Sequence, residues 1–126
     1  MIYGGHEMRK IMNAVITSAE LHLEESYNFL TIDIVVDRED GFSQVFGGAS
    51  LASSNWTKVT PDYTGTYILG LFKVTDCKNL ESMKGKAIRI DVDTSADRIV
   101  GVGHIIKNEW FYPSKEFNRL KSEFKG

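Results

Sequence analysis

One stretch decides how the chain folds: Gly101-Val102-Gly103-His104-Ile105-Ile106-Lys107-Asn108-Glu109-Trp110-Phe111-Tyr112-Pro113. It begins as an apolar strand and leaves that strand through a polar segment and three aromatic residues. Neighbouring side chains of a strand point to opposite faces, so one face carries Ile99, Gly101, Gly103 and Ile105, and the other carries Val100, Val102, His104 and Ile106. Two glycines spaced two apart leave a bare patch, which predicts a backbone, a ring or a ligand lying close against it. Tight packing on a helix or a subunit explains the glycines equally well.

This strand forms the second arm of a hairpin. Lys86 to Asp93 alternates apolar with charged residues, and Thr94 to Asp97 supplies the turn that leads into Arg98 to Ile106. Alternation predicts three earlier strands, at Asn13 to Glu24, Leu30 to Val36 and Phe42 to Phe46. In the first of these we expect one shared face with Val15, Thr17, Ala19, Leu21 and Leu23.

Two helices complete the prediction. Apolar residues between Tyr67 and Val74 recur at helical spacing, and Thr64 or Thr66 is placed to cap the start. After Pro113, an amphipathic helix is predicted from the spacing of Phe117, Leu120 and Phe124. Between strands and helix, Ala49 to Thr64 is the longest irregular segment. The expected fold is therefore α+β, with an antiparallel sheet of about five strands, one central helix and one C-terminal helix.

Length and composition bound the class of protein. With 126 residues we expect residues 1–11 to be a flexible leader and residues 12–126 to be a single α+β domain. Hydrophobic content of 42% and charged content of 25% are typical of soluble globular proteins, and no apolar run is long enough to span a bilayer. The single cysteine, Cys77, and the lack of a secretion signal predict a cytoplasmic protein. A net charge of −2 makes nucleic acid an unlikely partner.

Catalytic and metal-binding patterns are weak. His6, His22 and His104 lie far apart, without the spacing of common zinc sites. Cys77 has no local signature of a nucleophile, and the chain has no glycine-rich phosphate loop. The most ordinary interpretation of His104 is a histidine at the edge of the core, bonded to backbone. We therefore predict no catalytic residue, no metal and no cofactor, and we do not expect an enzyme.

Aromatic and cationic residues between the last strand and the last helix are suited to a nucleotide-like anion. Aromatic side chains can stack on a purine, and cationic side chains can bind phosphates. Lys115 and Arg119 stand at i and i+4, which places both on one side of the helix. The alternative is that Trp110 and Phe111 anchor the helix and the cations are simply solvated. The candidate ligand-binding residues are Phe46, Gly47, Gly48, Arg98, His104, Lys107, Trp110, Phe111, Lys115 and Arg119.

Three segments carry a resemblance to known proteins: Phe46-Gly47-Gly48, then Met83-Lys84-Gly85-Lys86 with Ile88-Arg89, and then Gly101 to Pro113. Together they resemble the phage Thoeris anti-defence proteins, which sequester cyclic ADP-ribose signals. This chain departs from the family in having Ala49 where a tyrosine often follows the two glycines. The resemblance implies a non-catalytic sponge in the bacterial host cytoplasm, which binds a cyclic nucleotide-derived small molecule. It also implies a homo-oligomer with ligand sites between subunits.

Two other classes of function remain open from the residues alone. A phage inhibitor that binds a host defence protein would use the sheet edge or the Ala49 to Thr64 loop. A small hydrolase or a nucleic-acid module is the third interpretation. We also expect self-association, because Trp110, Tyr112, Phe117, Leu120 and Phe124 provide more apolar surface than one sheet layer needs.

Overall fold

A computed structural model describes residues 8–53 and 60–124 as one antiparallel sheet with two helices packed on its core-facing side. The elements are β1 (Arg9–Glu24), β2 (Phe29–Arg38), β3 (Ser43–Gly47), β4 (Ala52–Ser53), α1 (Tyr63–Thr75), β5 (Ala87–Asp93), β6 (Arg98–His104), β7 (Trp110–Phe111) and α2 (Pro113–Glu123). A short 3-10 turn, Glu81–Met83, leads from α1 toward β5. The predicted α+β class, the central helix and the C-terminal helix are confirmed.

The sheet has the strand order β3-β2-β1-β5-β6-β7, and β4 pairs with β2 outside this path. Every strand pairing within the described residues is antiparallel, as the alternation predicts. The expected number of strands is corrected, because the described residues form seven. The two additional strands, Ala52–Ser53 and Trp110–Phe111, have only two residues each, which is too short for a periodic pattern to reveal.

A β-bulge in β1 changes which residues face the core. Ile16 pairs with Val36, whereas Ser18 pairs with Val35, so Thr17 is an extra residue on β1. Before the bulge the even-numbered Met12, Ala14 and Ile16 are buried, and after it the odd-numbered Ala19, Leu21 and Leu23 oppose Ile34, Ile32 and Leu30. The predicted shared face is therefore divided by the bulge: Ala19, Leu21 and Leu23 share one face, and Val15 lies on the other.

A second bulge interrupts β6. Ile99 pairs with Val92 and Gly101 pairs with Asp91, which leaves Val100 as the extra residue. Ile99 consequently lies in the core, whereas Gly101 lies on the opposite, outer face of the sheet. The prediction that Ile99 shares a face with the two glycines is wrong, because strict alternation does not survive an inserted residue.

The bare glycine face is covered by rings of the chain itself. After β6 the chain turns back as β7, with Trp110 opposite Gly103. A Cβ atom on Gly103 would lie 2.6 Å from the Trp110 ring, and one on Gly101 would lie 2.5 Å from the Tyr112 ring. The prediction of a close neighbour against these glycines is confirmed, and that neighbour is a pair of aromatic rings stacked 6.0 Å apart.

Helix α1 packs on the opposite face of the sheet. Its buried side chains are Tyr67, Leu71, Val74 and Thr75. The predicted caps Thr64 and Thr66 are wrong, because the helix begins before them and Asp62 accepts a hydrogen bond of 2.8 Å from the Gly65 amide. Gly70 lets the helix approach β7 closely, since a Cβ there would lie 2.5 Å from the Phe111 ring. Helix α2 begins at Pro113 and packs through Phe117 against Tyr63 of α1.

The boundaries of the predicted leader and loop also shift. Strand β1 begins at Arg9, opposite Asp93, so residues 9–11 belong to the sheet. The rest of the predicted leader, residues 1–7, lies outside the described residues. Within the predicted Ala49 to Thr64 loop, β4 and the start of α1 are ordered elements, and residues 54–59 likewise lie outside the description.

Gly103→Ala tests the packing of Trp110 on the sheet. A methyl group at this position overlaps the indole ring, so we expect a loss of about 1–3 kcal/mol in the free energy of unfolding. Chemical denaturation of both single variants and of the Gly103→Ala/Trp110→Ala double variant provides the measurement. The penalty of Gly103→Ala should be much smaller when Trp110 is already alanine. An equal penalty in both backgrounds contradicts the packing described here.

Candidate functional site

The sheet curls so that edge strand β3 approaches the start of β6 beside α2. Arg38 of β2 bonds to the Asp97 carboxylate at 3.2 Å, and Gln44 of β3 donates to the Asp97 carbonyl at 2.8 Å. Asp97 lies in the β5–β6 turn, which is separated from β3 by β2 and β1 in the strand order. These bonds hold the start of β3 next to the β5–β6 turn, and a cleft lies between the rest of β3 and the start of β6.

This aromatic cleft has a volume of about 320 Å³ and is bounded by the end of β3, the start of β6 and the amino end of α2. The aromatic cleft contains three predicted site residues, Phe46, Gly47 and Gly48, together with a fourth, Arg98. Its remaining lining residues are Val45, Ala49, Tyr67, Ile99, Val100, Pro113 and Ser114.

Tyr67 forms the inner wall of the aromatic cleft. Its ring stacks on Phe46 at a centroid distance of 6.0 Å and meets Phe111 edge-on at 5.3 Å. The residue is only 1% exposed, yet its hydroxyl has no hydrogen-bond partner within the described part of the chain. Burial raises the pKa of Tyr67, and the negative charge of Asp33 adds to this. The hydroxyl is therefore a neutral donor on the wall of the cleft.

The two glycines of the aromatic cleft are required by the backbone. A Cβ on Gly47 would lie 2.2 Å from the carbonyl oxygen of Ile32, so no larger residue fits against β2. Gly48 has a φ of 81°, in the left-handed region that glycine adopts without strain. Nothing lies within 4 Å of a Cβ at Gly48, so this turn leaves open space beside the cleft.

The amino end of α2 presents free donors to the aromatic cleft. No side chain caps this helix, and Pro113 at its start has no N–H group. The amide of Glu116 bonds to the Tyr112 carbonyl at 3.1 Å, and helix geometry leaves the amides of Ser114 and Lys115 without an intrahelical acceptor. An anion is stabilised at such an end by these N–H groups and by the helix dipole.

A second, cationic cleft of about 400 Å³ adjoins the first. The two share Arg98, Val100 and Ser114, and the cationic cleft adds Arg9, Tyr112 and Lys115. Asp91 lies beneath it, where its carboxylate accepts bonds from the Tyr112 hydroxyl at 2.7 Å and from Arg9 at 2.8 Å. Burial, together with that bond to Asp91, raises the pKa of Tyr112 to about 12. Two of the three cations, Arg98 and Lys115, are candidates from the sequence.

Arg98 stands where the two clefts meet. It makes no ion pair with any residue in the described ranges. Its cross-strand partner Asp93 is engaged by Ser95, whose hydroxyl and amide donate to the carboxylate at 2.6 and 3.1 Å. These bonds, with a smaller contribution from Arg98, hold the pKa of Asp93 below its usual range. The guanidinium of Arg98 is thus available to a ligand.

Three other candidates lie in a separate groove between α1, β7 and α2. Trp110, Phe111 and Arg119 line this groove, and Arg119 does not reach the two clefts. Its guanidinium bonds to Glu116 at 3.0 Å and to Glu123 at 3.3 Å, so its charge is already compensated. The expected pairing of Arg119 with Lys115 around one ligand is not formed.

His104 and Lys107 lie at a third place, beside the carboxyl end of α1. The His104 Nε2 atom bonds to Asp76 at 2.6 Å, and Nδ1 accepts the amides of Ile106 and Lys107 at 3.0 Å each. Both ring nitrogens are therefore occupied, and the proton lies on Nε2. The Lys107 ammonium approaches the same carboxylate at 3.9 Å. This cluster organises the β6–β7 connection, and no nitrogen of His104 is free to act as a base.

Cys77 is equally engaged. The thiol lies 3.4 Å from the Ser82 carbonyl and 3.6 Å from the Thr75 carbonyl, and the residue is buried. Within residues 8–53 and 60–124, no group of three histidine, cysteine or acidic residues is arranged to hold a metal ion. In the same ranges no helix has the length and apolar character needed to cross a membrane.

Sequence reasoning missed several residues of the clefts, among them Tyr67, Arg9 and Ser114. Tyr67 follows the helical pattern of the core, and only its unpartnered hydroxyl distinguishes it. Arg9 was placed in the predicted leader. Ser114 carried a usable signal, because a proline just before it marks the first turn of a helix and hence a set of free amides.

Comparison of the chain with protein-family models, curated proteins and solved structures found no match.

Asp76→Asn tests the His104 cluster through the pH dependence of stability. The hydrogen bond from His104 lowers the pKa of Asp76, so the carboxylate stabilises the fold above its unfolded pKa, which is about 4. That stabilisation is lost as the pH falls through the folded-state value. We expect urea denaturation to find the parent more stable than the variant at pH 7, with the difference shrinking below about pH 4. A difference that stays constant down to pH 3 contradicts the cluster.

Proposed function

We propose that the protein is a non-catalytic sponge that binds a nucleotide-derived anion of the cyclic ADP-ribose type and keeps it from its effector. One observation carries the proposal: five candidates from scattered parts of the sequence meet around the amino end of α2. They are Phe46, Gly47, Gly48, Arg98 and Lys115. The resemblance to phage Thoeris anti-defence proteins supplies the biological setting, which is a phage protein acting in the bacterial host cytoplasm.

Each of the two adjoining clefts suits a different chemical part of the ligand. The aromatic cleft offers apolar walls from Phe46, Val45 and Ile99, which suit a base and the carbon face of a ribose. The cationic cleft offers Arg98 and Lys115, which suit the oxygens of a pyrophosphate. Volumes of about 320 and 400 Å³ lie in the usual range for small-molecule sites, roughly 300 to 1,000 Å³.

The kinds of group that line the clefts support binding without turnover. Donors and cations line the clefts, while no histidine, cysteine or acidic residue appears among the described lining residues. General acid–base catalysis needs a group that changes protonation near the working pH. A sponge needs only affinity, and each factor of ten in affinity requires about 1.4 kcal/mol.

Self-association belongs to the same proposal. On the outer face of β1, Ile11 is 48% exposed and Val15 is 43% exposed, and both lie on the same face of the strand as Arg9 of the cationic cleft. A second copy placed over this face would cover the apolar side chains and close the cleft from solvent. Sedimentation at micromolar concentration measures this directly, and a monomer argues against the oligomer.

Arg98→Ala is the decisive variant for the ligand site. Removing a charged donor from a desolvated phosphate contact costs about 1.5–3 kcal/mol, so we expect affinity for the cognate cyclic ADP-ribose isomer to fall roughly 10- to 150-fold. Isothermal titration calorimetry against a panel of cyclic nucleotides and cyclic ADP-ribose isomers first identifies that ligand. The bound molecule should be recovered unmodified after the complex is heated.

Arg119→Ala is the matched control for this measurement. It removes the same side chain from α2, but from a guanidinium already bonded to Glu116 and Glu123. We expect its affinity to equal that of the parent. If Arg98→Ala binds as tightly as the parent, or if Arg119→Ala is the weaker variant, the ligand does not occupy the two clefts.

A second candidate function is inhibition by direct binding to a host defence protein. The observation in its favour is edge strand β3, where Val45 is 56% exposed and the adjoining Phe42 is 66% exposed. Edge strands of this kind pair with an extended segment of a partner. Co-purification with one host protein, combined with no response to the nucleotide panel, would favour this function over the sponge.

A further inference from the structure

Ser114, in the first turn of α2, and Tyr67 line the same aromatic cleft, and we propose that this cleft holds a phosphate group of the ligand. The proposal rests on the sponge function, and it names the chemistry of one subsite. The donors are the Ser114 and Lys115 amides, the Ser114 hydroxyl and the Tyr67 hydroxyl. Arg98 supplies the charge.

The amino end of α2 carries the positive end of the helix dipole, which suits an anion. Helix α2 has 11 residues, and no side chain caps its start. Its first-turn amides therefore point outward without acceptors, and the helix dipole adds positive potential at the same place. Ser114 lines both clefts, so the two free amides lie at their junction.

The buried tyrosine is an independent indication of a ligand. Tyr67 comes from α1, and only 1% of its surface is exposed. Within the described residues this hydroxyl has no hydrogen-bond partner, so solvent or a ligand in the cleft must satisfy it. Because Tyr67 and Ser114 line the same aromatic cleft, an acceptor oxygen bound there would satisfy the hydroxyl and the helix amides together.

The surrounding charges favour an anion over a cation. Arg98 and Lys115 make no ion pair in the described ranges. Of the carboxylates around the clefts, Asp93 bonds to Ser95 and one oxygen of Asp91 bonds to Tyr112. Asp33, whose negative charge acts on Tyr67, is paired with His22 at 2.8 Å. Arg98 presents a planar fork that matches two phosphate oxygens.

Ser114→Glu separates ligand binding from helix stability. A carboxylate in the first turn of a helix stabilises the helix, but in this subsite it repels a phosphate. We expect the variant to keep or slightly raise the melting temperature and to bind the cognate cyclic ADP-ribose isomer at least tenfold more weakly. Ser122→Glu places the same charge near the other end of α2 and should leave binding unchanged. Equal binding by Ser114→Glu and the parent overturns the proposal.

Tyr67→Phe removes only the unpartnered hydroxyl. Because this hydroxyl makes no bond in the ligand-free protein, its loss should not lower the melting temperature, whereas affinity for the cognate isomer should fall about fivefold to tenfold. A hydroxyl with a purely structural role would give the opposite pattern, with a lower melting temperature and unchanged affinity. That pattern overturns the part of the proposal assigned to Tyr67.

Inorganic pyrophosphate tests the subsite without the signal molecule. In a titration of the ¹⁵N-labelled protein followed by NMR, we expect saturable shifts of the Ser114 and Lys115 amides that disappear in Ser114→Glu. Shifts with pyrophosphate but no binding of any cyclic ADP-ribose isomer would support the subsite and refute the sponge. Tight binding of an isomer with no change at these two amides would support the sponge and refute the subsite.

Discussion

The packing of Trp110 and Tyr112 on two glycines sets the position of everything that follows them in the chain. Because Gly103 and Gly101 have no side chains, β7 can fold back and lay these rings flat on the outer face of β6. The chain then reaches Pro113 beside the start of β6, and α2 begins next to Arg98. A larger residue at either glycine displaces the rings and, with them, the amino end of the helix.

The order of strands and helices along the chain was predictable from the sequence, but which side chains of each strand point to the core was predictable only in part. Periodicity locates the five longer strands and both helices, since burial imposes it over many residues. Thr17 and Val100 break it, because each is an extra residue in a bulge and reverses the alternation beyond it. A bulge also increases the local bend and twist of its strand, so the features that defeated the pattern are consistent with the curl that brings β3 to β6.

The site residues were predicted only in part, because the sequence does not show which polar groups are already bonded within the fold. Sequence reveals which residues carry charge, but it does not reveal which charges already have partners. Arg119 and Arg98 look alike in the sequence, and only the structure distinguishes the one bonded to Glu116 from the one without an ion pair in the described ranges. Phe46 and Gly48 were found by resemblance, whereas the free hydroxyl of Tyr67 had no sequence signal at all.

We propose binding over catalysis because of which polar side chains already have hydrogen-bond partners and which do not. The two histidines in the described ranges, His22 and His104, are each bonded to a carboxylate, and neither lines the two clefts. By contrast, the start of α2 at the junction of the clefts and Tyr67 in the aromatic cleft provide donors without acceptors in the described ranges. Fixed donors suit the retention of an anion, and none of the described lining residues is a histidine, a cysteine or an acid that could take a proton from it. Such a site favours retention of the ligand over its conversion.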